Sequence, residues 1–400
     1  MHRNETLLML LVAVPLAAQQ HDPCGPHLTS SIAEPEFTES AVLSPLAQFS
    51  MAPDPAGVGV CGYARGGNNP FSPQWRWFRW TPGSAPNVTS IISPVYLPVL
   101  GAKPDGSGKL TAVNRGGLDN VRLSKVDPAN GVISDQVFVF DTAGLPILTV
   151  GFSGVRGPSL GFIDGEAVLY ATDDTPDLYA FDLDIDPTSP TYGTASNRRL
   201  VASATSGSIK ASQPIHDDNG DTVALLITES DSAGSRVYLV DCADPSVLPT
   251  SAQSYTVFDP AVSAIGQIGH GSFVVQGSAG LERIGLVHGS SVAAPIGQTT
   301  DYTVSAPAPS GTSALCLASL SLGPASTPMA ITSSFIVGNI CVMPDLVLAQ
   351  IAANGFARFP IAVPNNSALV GTRLACQAVG AELGTSPIHL GNLSFFEIVP

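Results

Sequence analysis

Four hundred residues, 44% apolar and only 12% charged, carry a net charge of −15. The chain is long enough for two domains, and its acidity argues against nucleic acid as a partner. Its 39 glycines and 34 prolines exceed the usual share yet fall short of a disordered or collagen-like composition, which fits many short strands joined by turns.

His2 and Arg3 form a short basic region, Leu7 to Leu16 an apolar core, and Leu16-Ala17-Ala18 a cleavage site. Residues 1–18 therefore read as a signal peptide, and the mature chain as secreted, extracellular or at the cell surface. The apolar run is too short to span a bilayer, and no later stretch reaches about 18 uninterrupted apolar residues, so no membrane span is expected. Six cysteines (Cys24, Cys61, Cys242, Cys316, Cys341 and Cys376) then sit in an oxidising compartment and permit three disulfides. Three lie near the C-terminus, which predicts at least one bond among them, and Cys24 with Cys61 is the expected second pair. No C-x-x-C spacing points to zinc or redox chemistry.

Residues 19–45 form a Pro-, Ser- and Glu-rich extension. A repeated unit of strand, turn, strand and third strand follows over 46–304. Leu46–Ala52 turns at Pro53-Asp54-Pro55 into Val58–Tyr63, and the aromatic run Gln74–Thr81 closes the unit. Ala102-Lys103-Pro104-Asp105-Gly106 leads into Leu110–Val113, with Val121–Val126 and Gln136–Phe140 outside it. Ser159–Ile163 turns at Asp164-Gly165 into Ala167–Thr172, then Asp177–Asp182. Ser212–His216 turns through Asp217–Asp221 into Thr222–Thr228, then Arg236–Asp241. Ala264–Ile268 turns at Gly269-His270-Gly271 into Ser272–Gln276, then Leu281–His288. Asp-Gly is strong hairpin chemistry because glycine accepts the positive φ of such turns. The second strands begin roughly 50–58 residues apart, and five such units predict an all-β chain whose first domain is a β-propeller. Five blades are favoured, with six or seven as alternatives. A sixth would combine the stretch before Pro45 with 300–315.

The units Lys103-Pro104-Asp105-Gly106…Leu110-Thr111-Ala112-Val113 and Phe162-Ile163-Asp164-Gly165…Leu169-Tyr170-Ala171 resemble blades of TolB-like and YVTN-type propellers. The first unit, ending Phe78-Arg79-Trp80-Thr81-Pro82-Gly83, is similar to extracellular propeller repeats with that signature. The fifth departs from the pattern, with Gly-His-Gly in place of Asp-Gly. This resemblance implies a fold; propellers of this kind have diverse functions.

Residues 305–315 read as a Pro/Ser/Gly-rich linker. Beyond it, 316–400 alternates short apolar strands with turns: Ala330–Val337, Leu346–Ile351, Ala357–Val363, Thr372–Val379 and Leu393–Val399. This predicts a small β-sandwich. The segment Phe359–Gly371, with Leu374–Ala378, resembles a C-terminal module of secreted bacterial repeat proteins.

The motifs that carry chemistry are weak. Gly57–Gly62 matches G-x-G-x-x-G, but a strand follows where a dinucleotide site needs a helix. No G-x-S-x-G elbow or H-E-x-x-H motif occurs. Asp217, Asn219 and Asp221 have the spacing of a calcium loop, without its glycine or its twelfth-position carboxylate, so a polar turn is the plainer reading. No other cofactor is expected. Asp182, Asp184 and Asp186 alternate along an extended segment and read as a solvated face. His216 and His270 end the first strands of adjacent units, where propeller ligands bind, and with Asp217 are the candidates for acid or base work. Against that stands an ordinary role in turns. Trp75, Trp77 and Trp80 form the densest aromatic cluster, a candidate sugar-stacking row or, more plainly, core between blades.

The sequence thus points to a secreted propeller that binds an extracellular protein or glycan without catalysis. The alternative is a polysaccharide-active hydrolase or lyase with its site at the channel rim.

Overall fold

The computed structural model describes residues 27–28, 32–33, 48–55, 60–66, 74–80, 87–91, 99–104, 106–115, 120–148, 156–172, 176–204, 207–216, 220–231, 234–241, 254–258, 265–277, 280–308, 312–324, 327–333, 335–353, 355–384 and 388–400.

Two short strands come first, β1 (His27–Leu28) and β2 (Ile32–Ala33). Blade one follows as an antiparallel sheet of β3 (Gln48–Pro53), β4 (Val60–Gly66), β5 (Gln74–Trp80) and β6 (Asn87–Ile91), paired in that order. Blade two repeats the order with β7 (Val99–Pro104), β8 (Leu110–Arg115), β9 (Val121–Val126) and β10 (Ile133–Asp141). Blade three does so with β11 (Arg156–Ile163), β12 (Glu166–Thr172), β13 (Asp177–Leu183) and β14 (Thr194–Ser203). Blade four comprises β15 (Ser208–His216), β16 (Thr222–Asp231), β17 (Gly234–Asp241) and β18 (Ser254–Phe258). Blade five has β19 (Ile265–Gly269), β20 (Ser272–Gly277) and β21 (Gly280–Gly289).

The first strands of the blades are neighbours around a ring. β3 lies against β7, β7 against β11, β11 against β15, β15 against β19, and β19 back against β3. The fold is therefore an all-β propeller whose circuit closes after five blades. This is the favoured count; the alternative sixth blade does not form among the described residues, because its two halves are used elsewhere. β1 and β2 pair antiparallel with β21, His27 opposite Val287 and Ile32 opposite Arg283, and supply the outer strand that blade five lacks. Residues 299–305 pair with a strand of the C-terminal body, described below.

Buried side chains pack the seams between blades, because alternate residues of a strand face opposite neighbours. Tyr63 and Trp77 of blade one pack with Leu100, Leu110 and Val126 of blade two. Phe78 and Trp80, on the other side of β5, pack with Ile268 of blade five. Leu123 and Val139 of blade two meet Leu160, Phe162 and Leu169 of blade three. Tyr170, Leu225, Ile227, Phe273 and Leu286 join blades three, four and five. Blades two and three are also linked at their outer edges, where β10 runs parallel to β14 with Phe140 opposite Thr194 and Asp141 opposite Ala195.

The C-terminal body begins with β22 (Val292–Pro295) and β23 (Thr299–Ser305), then β24 (Ser313–Ser321), β25 (Met329–Thr332), β26 (Ile336–Ile340), β27 (Leu346–Ala353), β28 (Phe356–Ala362), a 3-10 turn (Ser367–Leu369), β29 (Arg373–Glu382) and β30 (Ile388–Val399). One sheet runs β25-β26-β30-β29-β24-β27, with β22 beside β30. The other joins β23 to β28, and the end of β21 pairs with β23 at His288 and Gly289. Tyr302, Val304, Cys316, Ala318, Phe359, Cys376 and Phe396 share the core between them.

The cysteine pairings expected from sequence do not form. Cys61, Cys316 and Cys376 are buried free thiols. Cys316 stands opposite Gly380 and Cys376 opposite Leu320 on the β24–β29 ladder. That offset of four residues separates the two by about 13 Å along the strands, beyond the reach of a disulfide. Cys61 lies between Ala52 and Arg79 in the middle of blade one. Cys24 and Cys242 fall outside the described residues.

Candidate functional site

The rim candidates sit where the first strands end. His216 closes β15 and is 3% exposed. Its Nδ1 lies 3.1 Å from the Gly220 carbonyl, which places the proton on Nδ1, and 3.4 Å from Thr222 Oγ1. Its Nε2 is buried without a hydrogen-bond partner among the described residues. Burial pulls the imidazole down to about 4, helped by the nearby His270, while the Gly220 bond and Asp221 act the other way. His216 is therefore neutral at pH 7, with Nε2 as a hydrogen-bond acceptor.

The same neighbourhood clamps blades together. Thr222 Oγ1 accepts the Phe162 amide of blade three at 2.9 Å. A Cβ on Gly161 would fall 2.4 Å from that oxygen, so the close approach of β11 to blade four requires glycine there. Asp221 Oδ1 accepts the Gly165 amide from the Asp164-Gly165 turn at 3.1 Å. The His216 amide donates to Gln267 Oε1 of blade five at 3.4 Å. Ser159 and Ser212 exchange a 2.7 Å hydroxyl bond between β11 and β15, and the Leu100 amide donates to Ser50 Oγ between β7 and β3. In blade one, the buried Asp54 takes a 2.6 Å hydrogen bond from Arg79 Nε.

The structure does not gather the predicted residues into one open site. His270 stacks its ring 4.9 Å from that of Phe356 in the C-terminal body, and its carbonyl accepts the Ala308 amide, so it belongs to the seam between propeller and C-terminal body. Asp217 and Asn219 lie outside the described residues, and Asp221 is engaged with blade three. No group of three metal-ligating side chains occurs among the described residues. Trp77 and Trp80 are buried in two different seams and cannot form a sugar-stacking row; large rings at a blade interface bury more area than any exposed use would leave them. The side chain of Trp75 is outside the described atoms. Asp182 bonds Asn197 and Arg199, and Asp184 takes hydroxyls from Ser189 and Thr191. Burial is the largest single influence on both carboxyls and raises them, but the bonds together, with the Arg199 charge at Asp182, outweigh it and hold them below the usual range.

The sequence reading missed an aromatic pair on blade two. Val139 of β10 is buried, so its neighbours Phe138 and Phe140 point outward, 42% and 37% exposed. Their rings lie 6.2 Å apart, and the Arg122 guanidinium sits 4.7 Å over Phe138. Leu145 is exposed in the turn that follows. Phenylalanine at alternate positions of an outermost strand was the available signal.

No family model and no curated protein sequence matches the chain. Among solved structures it is similar to a GH43 glycoside hydrolase engineered for both endo-xylanase and exo-arabinofuranosidase activity, at 9% identity and TM-score 0.35 over 92% of this chain and 85% of that one. It is also similar to a bifunctional GH43-CE protein of Bacteroides eggerthii (14%, TM-score 0.33, 84% of this chain and 48% of that one). A third is the β-propeller domain of Cps50 (Swd1) from Myceliophteria thermophila (10%, TM-score 0.25, 56% and 65%).

Proposed function

We propose that this protein is a secreted, non-catalytic binding module that holds an extracellular glycan or protein. One observation carries the reading: Asp221, Thr222, Gln267 and the His216 backbone, at the first-strand ends, are engaged in blade-to-blade bonds, whereas exposed aromatic side chains sit on the outer strand of blade two. Asp221 and Thr222 hold blade three and the His216 amide holds Gln267 of blade five, while Asp54 is held by Arg79 within blade one. A catalytic acid or base must reach substrate, and a carboxylate fixed on a guanidinium or a backbone amide is poorly placed to do so. Phe138 and Phe140 offer flat apolar faces beside a cation, the combination that favours sugar rings and aromatic peptides.

The test is retention on gels of neutral and acidic polysaccharides. Retention weakened roughly tenfold in the double variant Phe138→Ala/Phe140→Ala would support the reading, a loss matching two aromatic contacts of about 0.5–1.5 kcal/mol each. Retention unchanged by that variant would place the ligand elsewhere. The rival, a polysaccharide hydrolase or lyase acting at the rim, requires new sugar ends.

A further inference from the structure

Cys341 follows directly on β26, is buried, and is held in a disulfide. Cys61, Cys316 and Cys376 are free thiols. Of the six cysteines, Cys24 and Cys242 are left as its partner.

Three sets of contacts bring the start of β1 and the end of β26 to one place. β26 runs parallel beside β30. Past its end, the Cys341 amide donates to Gln377 Oε1 at 3.0 Å, and Gln377 Nε2 donates to the Gly391 carbonyl at 3.0 Å. Cys341 therefore lies beside the 391–392 stretch of β30. Gly289, at the end of β21, grips the same stretch. Its amide donates to Asn392 Oδ1 at 2.8 Å, and its carbonyl accepts Asn392 Nδ2 at 2.9 Å. A Cβ on Gly391 would fall 2.6 Å from the Val287 carbonyl oxygen, so β21 and β30 touch there. β1 pairs antiparallel with β21, His27 opposite Val287 and Leu28 opposite Leu286, so the chain enters β1 from the Gly289 side. β1 also lies against β30. Three residues of chain lead from Cys24 to His27, a span of at most about 11 Å. The strands of blade four make no such approach to β26 or β30 among the described residues.

We infer that Cys24 and Cys341 form a disulfide that clasps the outer strand of blade five to the C-terminal body. Each thiol gives up its proton and the pair gives up two electrons as the S–S bond forms; a disulfide oxidant such as oxidised glutathione takes them and becomes two thiols. β1 and β2 have two residues each. So short a ladder opens readily by itself, and a covalent tether keeps it at high effective concentration beside β21. Loss of the bond frees the strand that completes blade five, which makes the closure of the propeller redox-sensitive.

This inference is independent of what the propeller binds. The purified, oxidised chain is treated with N-ethylmaleimide in acidic urea, digested without reductant and mapped by mass spectrometry. The expected result is one linked peptide pair, Cys24 with Cys341, and label on the other four cysteines. In Cys24→Ser, Cys341 takes the label. Hydrogen exchange over 281–288, the part of β21 that β1 and β2 cover, becomes about tenfold faster in that variant, with exchange in β12 and β13 unchanged. Cys242→Ser alters neither readout. Cys341 linked to Cys242, a labelled Cys341 in the parent chain, or unchanged exchange over 281–288 in Cys24→Ser would overturn the inference.

Discussion

Gly131 joins blades one and two, and replacing it with alanine is the sharpest test of how the propeller is held together. Gly131 lies in the turn before β10 at φ 74, and its carbonyl accepts the buried Tyr63 hydroxyl at 2.8 Å. A Cβ there would meet the Trp77 side chain at 2.5 to 2.7 Å. Trp77 is itself buried and stacked edge-on to Tyr63, with ring centroids 4.8 Å apart, so it has nowhere to move. Left-handed backbone costs a non-glycine residue about 1–2 kcal/mol, and overpacking a closed core about 1–3 kcal/mol. Gly131→Ala should therefore destabilise by about 2–5 kcal/mol in equilibrium urea unfolding. Tyr63→Phe should cost about 1–2 kcal/mol, the price of a lost buried hydrogen bond. The two changes share one contact, so the second should cost less in the presence of the first. A Gly131→Ala chain within about 0.5 kcal/mol of the parent, or strict additivity, would refute this account of the seam.

Three further outcomes follow from buried groups. His216 is held near 4 in the folded chain against about 6.5 when unfolded, so the unfolded state binds the extra proton between those values. Its contribution is complete above about pH 6.5 and is lost as pH falls toward 4; unfolding at pH 7 and pH 5 should show that slope, roughly 3 kcal/mol at full extent, flattened in His216→Gln. Burial pushes the Cys316 and Cys376 thiols up to about 12 and raises Cys61 further, so peptide mapping after iodoacetamide at pH 8 should find all three unlabelled until urea is added. Arg79→Ala removes the guanidinium from the buried Asp54 carboxylate and should destabilise more than Asp54→Asn, both read by thermal melting; the reverse order would contradict the pairing.

The repeat was legible because its turns are. The expected second strands, from Leu110, Ala167, Thr222 and Ser272, start within a residue of β8, β12, β16 and β20, since Asp-Gly and its variants punctuate each hairpin. The alternation of Trp77 against Phe78 and Trp80 likewise placed them on opposite sides of β5. What remained hidden is long-range pairing, which leaves no local trace. Two-residue strands such as β1 and β2 are invisible to periodicity, yet they complete blade five. β24 starts inside the Pro/Ser/Gly-rich stretch 305–315, whose composition reads as a linker, yet it lies inside the sheet between β29 and β27. At the rim, sequence located His216 correctly at a strand end but not its depth, because burial comes from neighbouring blades.

The central claim is that the rim holds blades together and does no chemistry. The direct measurement is release of new reducing or unsaturated sugar ends by purified residues 19–400, on neutral and acidic polysaccharides, with calcium and with EDTA. The account predicts no product above background on any substrate. Product that disappears in His216→Ala or Asp217→Ala would contradict it and place an active site at the rim.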